Sequence, residues 1–143
     1  IQGWAILIVP VFTLLILPVI DQYVGLRVEN LDTNLKDSQL FWYRLITLIW
    51  APIQFLTLFG ILALTIYTDM SSTEKIGLFC AMGVLTGTIG INYAHELMHK
   101  SGKLERWLAD ALLAMVLYSH FRSEHLLVHH IHVGTPKDPV TAK

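Results

Sequence analysis

Three uncharged apolar runs, residues 1–20, 45–68 and 76–94, constrain this chain more than any other feature. A helix needs roughly 20 apolar residues to cross a bilayer, and each run meets that length. Backbone N–H and C=O groups have no water partners in lipid, so they must bond within their own segment or close into a barrel. Three such runs predict an all-α integral membrane bundle with three spanning helices. Composition agrees: 54% of the 143 residues are hydrophobic and 15% charged, outside ordinary soluble usage. Pro10, Pro18 and Pro52 fall within these runs, where neighbouring helices can satisfy the freed carbonyls, and kinks are expected there.

The connections alternate sides, so 21–44 and 95–106 share one face and 69–75 lies on the other. Arg27, Lys36, Arg44, Lys100, Lys103 and Arg106 belong to the first face, and only Lys75 to the second. By the positive-inside rule the first face is cytoplasmic, and the chain is expected in a bacterial inner membrane. Trp42 and Trp107, near the ends of apolar segments, suit interfacial anchoring or simple packing. Residues 104–121 are helical in composition, but the uncharged core 111–119 rises only about 13 Å as a helix. It is therefore expected to lie in the interface, which leaves the histidines before and after it on one side. No repeat interrupts the chain, and 1–143 reads as a single domain. Net charge is −1 without a basic tract, which gives no support to nucleic-acid binding. A lone cysteine, Cys80, excludes a disulfide framework, a Cys-rich zinc site and an iron–sulfur centre within these residues.

Five of the seven histidines lie between positions 120 and 132, and the other two, His95 and His99, open and close "HELMH". That stretch matches H-E-x-x-H, the pattern of zinc metallopeptidases, with Glu96 as general base. Residues four apart on an α-helix project about 40° from one another, so His95 and His99 can share one metal or flank two. His125 and His129 repeat the spacing, and His130 points about 100° from His129 if the α-helix continues. Donors fanned over such an arc suit two metals, and the nitrogen supply exceeds what one catalytic zinc uses. Imidazole suits iron, copper and zinc alike, so spacing does not choose the metal.

The alternatives are a pair of interfacial histidines at a helix end and a solvated histidine-rich loop; the first is costly at membrane depth. His120 and His132 are single extra imidazoles, as readily hydrogen-bonded or exposed as part of a site. Glu96 and Glu124 adjoin ligand candidates, where a carboxylate can orient an imidazole by accepting its N–H, or they are solvated helix charges. Asp138 in "TPKDP" is a further acceptor candidate, or an ordinary turn residue.

"NYAHELMHK", then "YSHFRSEHLLVHH" and "GTPKDPVTA", resembles the first two histidine boxes of the membrane-bound alkane 1-monooxygenases, the AlkB family. These are related to xylene monooxygenases, membrane fatty-acid desaturases and fatty-acid hydroxylases. The resemblance implies a six-helix enzyme with a di-iron centre at the cytoplasmic face. Such an enzyme uses O2 to hydroxylate the terminal methyl of an alkane, with electrons from rubredoxin and rubredoxin reductase. It implies His95, His99, His125, His129 and His130 as iron ligands. Met98 and Val128 stand where the family commonly has glycine. The later asparagine–tyrosine motif, the third histidine box and one early helix are missing from the sequence. The expectation is thus a fragment whose other ligands lie elsewhere in a longer chain.

Overall fold

The computed structural model describes residues 3–25 and 40–140; Arg27 and Lys36, used above to orient the chain, lie outside the described residues. Three helices are long and apolar enough to span: α1 (Gly3–Val24), α2 (Phe41–Tyr67) and α3 (Ser72–Met98). All three extend beyond the uncharged runs, because a helix that must satisfy its backbone in lipid does not stop at the first polar side chain. Asp21 is carried inside α1, Arg44 inside α2, and His95 inside α3. At the start of α3, Ser71 and Glu74 form a capping box: the Glu74 N–H donates to Ser71 Oγ at 3.3 Å, and the Ser71 N–H to Glu74 Oε2 at 3.0 Å.

The prolines have unequal effects. Around Pro10 and Pro18, α1 is irregular, with a 3-10 turn at Gly3–Leu7 and a π-turn at Phe12–Ile16. Pro52 lies inside α2, which stays helical on both sides of it. Among the described residues there is no strand, and the chain is an all-α integral membrane protein. Large side chains along the spans, including Ile8, Leu15, Leu56, Phe59 and Ile66, are exposed, as lipid-facing residues are.

One core cluster gathers at the end of α3, while Ile6 of α1 and Leu78, Ala81 and Met82 of α3 are buried further along the spans. Ala51 of α2, Ala94, Leu97 and Met98 of α3, and Ala109, Leu112 and Leu113 of α4 (Lys103–Met115) pack into one cluster. The three alanines are fully buried, and small residues let helix backbones approach closely where the hydrophobic effect gives little drive. Met98, which occupies the glycine position of the resemblance, fills the space between α3 and α4 at 1% exposure.

Helix α4 rises about 20 Å and does not span, as expected, but it is shorter than the 104–121 segment anticipated. It ends in a reversing turn. Tyr118 N–H donates to Leu113 O at 2.9 Å and Leu117 N–H to Ala114 O at 3.1 Å, with Leu117 at φ 56°. This turn lets the chain double back into a final helix, α5, made of Phe121–Glu124, a π-turn at His125–His129 and His130–His132. Arg122 of α5 clamps Asp110 of α4 through Nε at 2.6 Å and the second guanidinium nitrogen at 3.0 Å. Arg44 of α2 pairs with the buried Glu105 of α4. The two ion pairs tie α4 to elements on either side of it, and so bring α5 over the end of α3.

Candidate metal centre

His95 and His99 lie one turn apart at the end of α3, about 100° and 140° around the helix from the buried Ala94. α5 presents His125 to them. The Nε2 atoms of His95 and His125 are 2.9 Å apart, those of His99 and His125 3.3 Å, and those of His99 and His95 3.4 Å. Three side chains separated by 26 and 30 positions thus bring equivalent nitrogens to one point.

His130 joins them, which corrects the direction expected for it. Along an α-helix His130 would stand about 140° from His125. The turn between them is a π-turn, whose wider coil returns residue i+5 to the face of residue i. Accordingly the Nε2 atoms of His130 and His125 lie 3.0 Å apart. π-Bulges recur at functional sites because they re-aim a side chain while the helix continues.

His129 is turned aside to Asp138. Its Nδ1–H donates to Asp138 Oδ2 at 2.8 Å, which leaves Nε2 with its lone pair. Asp138 is buried, at 2% exposure, and its other oxygen accepts from the Val140 N–H at 3.1 Å. The rings of His125 and His129 stack with centroids 5.3 Å apart, so His129 adjoins the cluster through His125. Phe121 walls the group, its ring centroid 5.1 Å from that of His125 and 6.5 Å from that of His95.

The donor chemistry of this cluster fits a metal. A single Nε2 carries either one hydrogen or one lone pair, yet that of His125 faces three others within hydrogen-bonding distance. Hydrogen bonds among imidazoles cannot satisfy such an arrangement; a cation shared by His95, His99 and His125 can, with His130 placed beside His125 for a second. Nitrogens held about 2.0–2.1 Å from a tetrahedral ion sit about 3.3 Å from each other, close to the separations here. Burial, and then the neighbouring imidazoles of His95, His130, His99 and His129, push the His125 pKa down to about 4. His99 is lowered as well, first by burial and then by His95 and His130. Both rings are therefore neutral near pH 7, the state in which imidazole binds metal.

Other candidates lie apart. Glu96 is exposed and lines a cleft of about 510 Å³ with Tyr43, Arg44, Lys100 and Glu105. Glu124 stands 3.9 Å from His120, one turn away on the exposed side of α5. The His120 ring packs edge-on against Tyr118. His132 closes α5, where its backbone carbonyl accepts from Thr135. The positioning roles of Phe121, Arg122 and Asp110 were not visible in sequence; the one signal was a pair of opposite charges flanking an apolar stretch.

Residues 75–143 match the fatty acid desaturase family. Over 130 residues, 88% of this chain, it is 34% identical to alkane 1-monooxygenase 1 of Pseudomonas aeruginosa. Alkane 1-monooxygenase 2 of the same organism is 32% identical over 150 residues and 99% of the chain. Alkane 1-monooxygenase 2 of Alcanivorax borkumensis is 32% identical over 131 residues and 90% of the chain. The chain spans 34%, 38% and 34% of the length of these relatives, in the same order. It belongs to the histidine-box superfamily of membrane hydroxylases and desaturases.

Proposed function

We propose that the chain is part of an alkane 1-monooxygenase, which converts a medium-chain n-alkane, O2, two electrons and two protons into a 1-alkanol and water. The observation that supports this most is the convergence of the Nε2 atoms of His95, His99 and His125 from two distant histidine boxes, with that of His130 3.0 Å from His125, in a chain similar to enzymes of that name. In this reading His95, His99, His125, His129 and His130 hold two iron ions, together with ligands from the remainder of the protein. When bound there, the irons supply O2 activation and the oxidation of a strong C–H bond.

The chain's own residues do the rest. The imidazoles of His99 and His125, held neutral, present lone pairs, and the His129–Asp138 hydrogen bond occupies Nδ1 of His129 and leaves its Nε2 for the metal. Phe121 covers His95 and His125 on one side and excludes water from them. Arg44, Lys100, Lys103 and Arg106 lie on the side of the histidines and Lys75 on the other, which favours a site on the cytoplasmic face of a bacterial inner membrane. That face is where a soluble donor, reduced rubredoxin replenished by rubredoxin reductase, would deliver electrons. The fatty acid desaturase match over 75–143 favours, as a second reading, a fatty acyl chain as substrate.

The test is iron analysis and product assay on the full-length protein in membranes, with medium-chain alkane and a rubredoxin system. About two irons per chain and O2-dependent 1-alkanol are expected. Peptide hydrolysis that depends on Glu96, with no O2-dependent product, would overturn the proposal in favour of a zinc peptidase.

A further inference from the structure

A buried polar contact beneath the histidines has no part in the reaction as described. Gln54 of α2 is fully buried within a membrane-spanning helix. Its Oε1 accepts from Trp50 Nε1–H at 2.7 Å, and its Nε2 points to the Met115 sulfur at the end of α4, 3.5 Å away. Its amide also lies against Gly90 of α3, so closely that a Cβ there would come within 2.6 Å of Oε1 and 2.7 Å of Nε2. Anchored by Trp50 and wholly enclosed, that amide has no room to swing away. Trp50 in turn stacks on Tyr93, with centroids 5.3 Å apart and planes 19° from parallel.

The place of this contact in α3 gives it meaning. Gly90 ends a π-turn at Thr86–Gly90, and the regular helix that follows, Ile91–Met98, carries His95 and is capped by His99. Over five residues a π-turn winds roughly 90° less than an α-helix does, so the register of the final segment is not dictated by the lower half of α3. Gly90 and Tyr93 sit on the inward face of that segment; His95 and His99 stand roughly 140–180° around from Gly90. A grip on the inward face therefore fixes where the two imidazoles point.

We infer that Gln54 and Gly90 are positioning residues: the Trp50–Gln54 pair, seated on Gly90 and Tyr93, sets the rotation of the end of α3 that aims His95 and His99 at His125 and His130. The inference rests on the metal-centre reading.

The test uses full-length protein in nanodiscs, with Co(II) as a spectroscopic probe of imidazole ligation. Gly90→Ala should lower Co(II) affinity about tenfold or more, the usual scale for a residue that orients ligands, and alter the visible spectrum. Adding Gln54→Ala removes the collision and should bring affinity back to that of the Gln54→Ala single variant. Should Gly90→Ala fail to accumulate, Gln54→Met, which keeps the length and apolar fit but loses the Trp50 bond, is expected to shift the Co(II) spectrum in a folded protein. Wild-type affinity and spectrum in Gly90→Ala, or in Gln54→Met where that variant stands in, would overturn the inference, as would purely additive losses in the double variant. Failure of the unsubstituted protein to take up Co(II) would overturn the metal-centre reading, and this inference with it.

Discussion

The two histidine clusters reach the same point by different backbone geometries. On α3, His95 and His99 use the ordinary i, i+4 spacing of an α-helix, and their neighbours Ala94, Leu97 and Met98 hold an adjoining face in the core. On α5, His125 and His130 are five apart and meet only because the turn between them is a π-turn. The first pair is positioned by burial. The second lies on a half-exposed helix held by Arg122 and by a reversing turn at Leu117, with no fully buried residue of its own. A rigid half and a more lightly held half thus make one cluster.

Replacing single ligands breaks the comparison most severely. His125 Nε2 lies against those of His95, His99 and His130, so His125→Ala should abolish metal retention and O2-dependent turnover. Metal content and product assay check this; full turnover would remove His125 from the site. Asp138→Asn should be milder. An amide in place of the carboxylate weakens the hold on His129 Nδ1–H, and metal affinity should fall about 10–100-fold. A loss below threefold would mean that the lightly held half needs no such support.

Acidification should show which half resists protonation. The ordinary imidazole value is 6.5, and His125 is held at about 4, chiefly by burial. Its folded-state pKa is below the unfolded value, so the unfolded chain takes up a proton that the folded protein refuses. Metal-depleted protein should therefore hold its stability above pH 6.5 and lose it progressively as pH falls towards about 4. Thermal melts across that window should show the decline, and His125→Ala should reduce it, leaving the part due to His99, which is also lowered. An unchanged slope in that variant would show that His125 does not exclude protons.

How much of this was legible in the sequence follows the same division. The three spans could be read because they are uncharged runs, and His95 with His99 because α-helical spacing holds there. The direction of His130 could not, since a π-turn differs from an α-turn by a shift of one hydrogen-bond partner that no residue type in "HLLVHH" announces. Asp138 was visible only as one candidate among several carboxylates, and its burial against His129 depends on the fold of the turn that follows α5. Partnerships such as Arg44–Glu105 and Gln54–Gly90 join residues tens of positions apart, and single-sequence patterns are silent about them.

The smallest expected effect concerns the turn that aims α5. Leu117 adopts φ 56° and is 90% exposed, so it bears the left-handed backbone without burying its side chain. Leu117→Gly should relieve about 1 kcal/mol of that strain and raise thermal stability slightly, with metal affinity unchanged. A clear destabilisation would show that the exposed leucine anchors the turn, for instance in the bilayer interface.

For the two clusters to share a site, both must lie on one side of the membrane. Single substitutions Lys103→Cys, Ser123→Cys and Ser72→Cys, each in a Cys80→Ser background, place labels beside the first cluster, beside the second and at the start of α3. All three native residues are exposed. With an impermeant thiol reagent on sealed vesicles, positions 103 and 123 should react from the same side and position 72 only from the other. Reaction of 103 and 123 from opposite sides would put the two clusters a membrane apart, and no common metal centre could form from them.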